Sequence, residues 1–253
     1  MPIVSVVLGL LVWAVVITLG VRRVRGRSPA AARRKRPPEP VGPQEAQRTL
    51  QELFTDGATL ARASGAQVRV ESIAMLTLPT GRIVACDPIV FPDSAAFERS
   101  VPPGSYPVSV SLALMGPGHI RVAGMRVELS QSTPVRWEAA LVTGQVAGAV
   151  APGESFGYGV DAGLGCFMDA ATAATLARVM NEVEGPSGNY YDDVLATELS
   201  DVAKPWCDHH PVAADGANVV IAQSGWGDGM YSSHWGIDEG GDTVCLVTDF
   251  QVG

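Results

Sequence analysis

The order of apolar and polar positions divides the chain into three stretches. From Ile3 to Val21 nineteen consecutive residues carry no charge, and Ser5 and Thr18 are the only polar side chains among them. At about 1.5 Å of rise per residue such a helix covers roughly 28 Å, close to the hydrocarbon thickness of a bilayer. Polar positions do not recur there at helical spacing, as they would in a half-buried core helix. The flank before it, Met-Pro, has no side-chain charge, and the run leads straight into Arg22 and Arg23. A secretory signal has the opposite flanks, positive charge before and a small-residue cleavage site after. The pattern predicts a retained transmembrane helix over 3–21. Residues 22–43 follow, dominated by Arg, Ala and Pro, with Pro37, Pro38, Pro40 and Pro43 favouring an extended tether. The folded domain is expected over 44–253.

Within that domain Leu50, Leu53, Phe54 and Leu60 fall at roughly helical spacing, with Gly57 and Gly65 as breakers. Strand patterns come next. Val68, Val70, Ile73, Met75 and Leu78 precede a turn at Pro79-Thr80-Gly81, and Ile83–Cys86 is apolar. Tyr106 to Leu114 alternates, as do Met125, Val127 and Leu129 against Arg126 and Glu128; Val135–Val142 is a further candidate. Asp169 is placed to cap a helix over Ala170–Glu182, and Tyr190–Val202 suits a second. Strands resume at Val219–Ala222 and Val244–Val247. Long helices between strands are lacking, which disfavours a parallel, doubly wound sheet. The predicted class is α+β: a predominantly antiparallel β-sheet domain with one or two inserted helices, preceded by the single transmembrane helix.

Charge sharpens this division. The chain holds 18 Lys/Arg and 26 Asp/Glu, yet eight of the basic residues lie between Arg22 and Arg36. Beyond that run ten Lys/Arg face all 26 acids, a balance of −16. Basic residues flanking a span stay on the cytoplasmic side, so the N-terminus is expected outside and the domain in the cytoplasm. Arg22–Arg36 would rest against anionic headgroups, each residue contributing about 1 kcal/mol. The acidic domain lacks the clustered cations that phosphate neutralisation requires, so nucleic acid is not an expected partner. Cys86, Cys166, Cys207 and Cys245 are far apart without a CxxC pair, consistent with free thiols in a reducing compartment.

Three stretches carry candidate chemistry. Gly157–Asp169 packs glycines around Asp161, Cys166 and Asp169. The two carboxylates suit a divalent cation and the thiol suits a nucleophile, while the plainer reading is a glycine-built strand connection with Asp169 as helix cap. Ser224–Asp238 reads first as a hairpin connection around Gly227-Asp228-Gly229 with aromatic surface from Trp226, Tyr231 and Trp235. Its functional reading is a pocket formed by Ser224, Trp226, Tyr231 and His234, with Asp228 beside them. Cys207-Asp208-His209-His210 resembles a metal cluster, but adjacent side chains of an extended segment point opposite ways, and Pro205 and Pro211 around it suggest a surface loop.

Leu78–Arg82 with Asp87-Pro88, Pro103–Val108, Arg136-Trp137-Glu138, Gly157–Asp169, Ser224–Tyr231 and Thr248-Asp249-Phe250 together resemble the bacterial family known as domain of unknown function 4241. The resemblance runs in order over most of 70–253 and excludes residues 1–43. It implies no activity, but it singles out Asp161, Cys166, Asp169, Trp226, Asp228 and Asp249 for test. Two functional readings follow. One is a binding or interaction module at the inner membrane face with a protein partner. The other is a hydrolase whose divalent cation is held by Asp161, Asp169, Asp228 and Asp249, which requires those carboxylates to converge.

Overall fold

A computed structural model of the protein describes residues 49–146, 156–184, 188–212 and 216–252. The predicted span 3–21 and tether 22–43 lie outside them. Twelve strands are described, all paired antiparallel. The larger sheet runs β1 (Thr59–Leu60), β2 (Ala66–Leu78), β4 (Gly104–Gly116), β5 (His119–Glu128), β12 (Thr243–Asp249), β11 (Gly229–Ile237) and β6 (Arg136–Ala139), with β7 (Tyr158–Val160) also on β11. Strands β6 and β7 share one edge in tandem: β6 pairs with His234–Ile237 and β7 with Gly229–Tyr231. The smaller sheet runs β3 (Ile83–Cys86), β8 (Leu164–Asp169), β10 (Val219–Gln223) and β9 (Trp206–His209).

Side-chain alternation stacks these sheets. In the smaller sheet Ile83, Ala85, Phe167, Val220 and Ala222 face the larger one, meeting Val108, Val110, Leu112, Trp235 and Leu246. Their neighbours Val84, Cys86, Cys166, Met168, Val219 and Ile221 face outward under helix α1 (Ala170–Val183), against Ala173, Leu176 and Met180. The smaller sheet is thus buried on both faces, which is why its strands are continuous apolar runs. The far face of the larger sheet carries a third cluster, in which Leu50 and Leu53 of the helical residues 49–53 cover Val68, Ala113, Ala123 and Val247. The order of layers is helical turn, large sheet, small sheet, helix.

The α+β class and the antiparallel sheet agree with expectation, and Asp169 caps α1 by accepting the Ala171 N–H at 2.8 Å. Local details differ. The first helix ends at Leu53, and Leu60 belongs to β1, because Gly57 in the left-handed region (φ 77°) turns the chain back. The second helix contracts to a π-helical turn Tyr191–Leu195 and Ala196–Glu198. Gly227-Asp228-Gly229 is a crossover and not a hairpin, since β10 and β11 lie in different sheets. Cys207-Asp208-His209 is strand β9, and the expected surface loop begins only at His210. His209 is buried, with Nε2 2.7 Å from the Tyr190 hydroxyl and Nδ1 3.1 Å from Glu198. Because the carboxylate only accepts, Nδ1–H donates to Glu198. Among the described residues no helix is long and apolar enough to cross a membrane.

Candidate functional site

The two glycine-rich runs singled out in sequence meet in space. The link is Asp87, fully buried at the end of β3. Its Oδ1 accepts the N–H groups of Ile89 (3.0 Å) and Val90 (3.2 Å). Its Oδ2 accepts those of Asp161 (3.0 Å) and Ala162 (2.7 Å), clamping the turn between β7 and β8. That turn then receives the second run, as the Ser224 N–H donates to the Gly163 carbonyl at 2.9 Å. The Ser224 hydroxyl donates to the Gly227 carbonyl at 2.8 Å, and the Tyr231 hydroxyl is 2.6 Å from the same oxygen. Burial raises the Tyr231 pKa, with the neighbouring Asp228 and Asp249 charges adding to the rise, so the hydroxyl remains a donor.

Gly225 sits where no other residue fits. Its φ is +50°, and an added Cβ would come within 2.7 Å of both the Phe250 carbonyl oxygen and a Val252 methyl. Held from both sides, the crossover projects Trp226 outward, 57% exposed. The Arg121 guanidinium of β5 lies 5.1 Å from the centre of the Trp226 ring. Between these groups and the 162–164 turn is a cleft of about 190 Å³, bordered also by Tyr191, Gln223 and Ser224.

The remaining predicted residues are dispersed. Asp161 and Asp228 are exposed, on loops at one end of the β7–β11 ladder. Asp169 is fully buried and spent, accepting the Thr80 N–H at 3.0 Å and its hydroxyl at 2.8 Å as well as capping α1. Asp249 ends β12 opposite Ser232, where burial pushes its pKa up to about 6 against the Gln251 N–H, which lowers it. Among the described residues no group of three or more His, Cys, Asp or Glu side chains is placed to hold a metal ion. The convergence that the cation-dependent hydrolase requires is therefore missing for Asp161, Asp169, Asp228 and Asp249.

Cys166 is likewise unsuited to attack. It is buried beneath α1 with Sγ 3.7 Å from Cys86 Sγ, directly across the β3–β8 ladder. Burial, then the neighbouring thiol, push its pKa well above the usual range and keep it protonated. His234 does not join Ser224. Tyr231, Ser233 and Trp235 are buried on the inner side of β11, and the pleat turns His234 to the other face. Burial depresses its pKa to about 4, and Nδ1 has no partner among the described residues.

Of the expected pocket residues Ser224, Trp226, Tyr231 and His234, the first two line the cleft, Tyr231 lies beneath the turn and His234 is elsewhere. The sequence did not single out Arg121 or the clamp role of Asp87. An Asp-Pro pair closing an apolar strand is a recognisable turn signal, and Asp87-Pro88 carries it. Arg121 offers no local signal, because its significance is that no carboxylate among the described residues pairs with it.

No curated protein and no solved structure matches the chain. A family model matches residues 76–248, a stretch holding β3 to β11, the Asp87 clamp, both glycine turns and Trp226. On that match the chain belongs to the family described as Protein of unknown function (DUF4241).

Proposed function

We propose that this chain is a non-enzymatic binding module, held at the cytoplasmic face of a membrane by residues 3–21, whose recognition surface is the cleft beneath Trp226. One observation carries the reading: a tryptophan more than half exposed on a loop fixed by backbone and side-chain hydrogen bonds. An exposed large aromatic on a rigid support loses little entropy on contact, and such residues dominate binding energy at interfaces. The uncharged run Ile3–Val21 and the basic run Arg22–Arg36 support the anchor and its orientation.

The test separates topology from recognition. All four native cysteines are buried, so an impermeant maleimide needs a site of its own. Val202→Cys, at a position 87% exposed, supplies one. In intact cells it should stay unlabelled until the membrane is permeabilised, and ready labelling would refute the cytoplasmic placement. A photo-crosslinking side chain at position 226 should capture a partner that the same group at 202 does not. Equal capture at both positions would refute the cleft as the recognition surface.

A further inference from the structure

Among the described residues three arginines are half-buried, Arg99, Arg121 and Arg126. Each lies over an aromatic ring: Arg99 5.5 Å from the centre of Trp235, Arg126 4.7 Å from Phe54 and Arg121 5.1 Å from Trp226. Two of them complete the arrangement with a carboxylate. Arg99 donates to Glu138 at 2.5 Å, and Arg126 donates to Glu128 at 2.7 Å. Arg121 has neither an ion pair nor a hydrogen bond among the described residues; its Nε is buried without a partner, as is that of Arg126, so the difference between the two is the carboxylate. A guanidinium stacked on a ring keeps its in-plane donors available, and its fork matches a carboxylate. Only Nε is withdrawn from water, so the two terminal nitrogens of Arg121 remain open on the cleft and free to pair with an acid that enters it.

We infer that the missing carboxylate belongs to a ligand: the Arg121–Trp226 cleft binds an amino-acid-sized carboxylate, its acid on the Arg121 fork and its apolar part against Trp226 and Tyr191. This deepens the proposed function and rests on the cleft being the recognition surface. Size favours so small a group. The cavity of about 190 Å³ is below the roughly 300–1,000 Å³ typical of drug-sized sites. The other polar side chains lining the cleft are Ser224, whose hydroxyl is spent on the Gly227 carbonyl, and Gln223 and Tyr191, whose amide and hydroxyl can donate to a carboxylate oxygen. By contrast the recess of about 260 Å³ beside Arg126 already has Glu128 on its guanidinium, with Ser109 donating to the same carboxylate.

The experiment uses the full-length chain in detergent micelles and three probes: N-acetylphenylalanine, its neutral C-terminal amide, and inorganic phosphate. Binding is followed by ligand-detected NMR and by tryptophan fluorescence. The free carboxylate should bind at least about ten-fold more tightly than the amide, the size expected for one charge-assisted pair. Arg121→Gln should abolish that preference while leaving the melting temperature unchanged. Trp226→Phe, which keeps a ring, should retain the NMR signal and lose the fluorescence response. Equal binding of acid and amide, or a preference that survives Arg121→Gln, would overturn the carboxylate assignment while leaving the cleft a binding surface. Tighter binding of phosphate than of the carboxylate would overturn it too. Binding of none of the three probes would refute it, whatever the crosslinking at position 226 reports.

Discussion

Removing the Asp87 carboxylate should be among the most damaging single changes to this domain. The side chain is fully buried and accepts four backbone N–H groups, from Ile89, Val90, Asp161 and Ala162. In Asp87→Ala, Val90 and Asp161, which are exposed, can turn to water, whereas Ile89 and Ala162 are only half-exposed. An unpaired donor that is only half-buried costs about 1 kcal/mol, the low end of the range for a buried one, and a rehydrated one loses about 0.5–1.5 kcal/mol, so a total of about 3–5 kcal/mol is expected. Against the roughly 5–15 kcal/mol stability of an ordinary domain this is a large fraction. Urea unfolding of the full chain in micelles, followed by tryptophan fluorescence, should show the midpoint falling by about 1.5–2.5 M for a slope near 2 kcal/mol/M. Asp87→Asn keeps one acceptor and sets its amide against two donors, so it should lose about half as much or more. Asp161→Ala is the control: the exposed carboxylate goes, the clamped backbone N–H stays, and the change should be under about 0.5 kcal/mol. A loss below about 1 kcal/mol in Asp87→Ala, or one matched by Asp161→Ala, would refute the clamp.

Asn218 joins the sheets: its Oδ1 accepts the Thr77 N–H at 2.9 Å, and its Nδ2 donates to the Met75 carbonyl and the Asp208 carboxylate. Asn218→Ala should cost about 2–4 kcal/mol in denaturant melts and speed hydrogen exchange at Thr77, and an unchanged exchange rate would contradict the assignment. Asp249 and His234 act oppositely with pH. Burial raises the Asp249 pKa to about 6, so its contribution is full below its ordinary value of 3.8 and is lost as pH rises through about 6. Burial lowers the His234 pKa to about 4, so its contribution is full above 6.5 and is lost as pH falls through about 4. Asp249→Asn should therefore make stability climb more steeply between about pH 4 and pH 6, by about 1–2 kcal/mol after discounting for partial exposure. His234→Gln should flatten the acid side. Melting curves across that range that coincide with the parent profile would refute both shifts.

Much of the architecture was legible from local chemistry. Alternation over Tyr106–Leu114 and Met125–Leu129 specifies strands whatever they pair with, because the pleat sends every second side chain to the same face, although the polar face at Ser109 and Ser111 is buried as well. Asp169 before an alanine-rich stretch specifies a helix start, because the cap bond closes within three residues. The Cys207–His210 segment misled because two prolines and two histidines look like a loop, while tertiary contacts with Tyr190 and Glu198 bury His209 in a strand. Gly227-Asp228-Gly229 misled for a related reason: a turn dipeptide says that the chain bends, not whether the next strand rejoins the same sheet.

The site divides along the same line. By itself the sequence determined which residues have unusual conformational freedom or an aromatic face, and so pointed to both glycine runs and to Trp226. Only the tertiary structure decided what those runs are for. Asp161 and Asp169 drew attention as carboxylates, yet the turn is held by Asp87, 74 residues before Asp161 in the chain. Whether acids gather around an ion, and whether an arginine has found its partner, depends on distances between strands far apart in sequence. Arg99, Arg121 and Arg126 are indistinguishable as letters, and the packing of β5 beside the β10–β11 crossover leaves one of them without a carboxylate among the described residues.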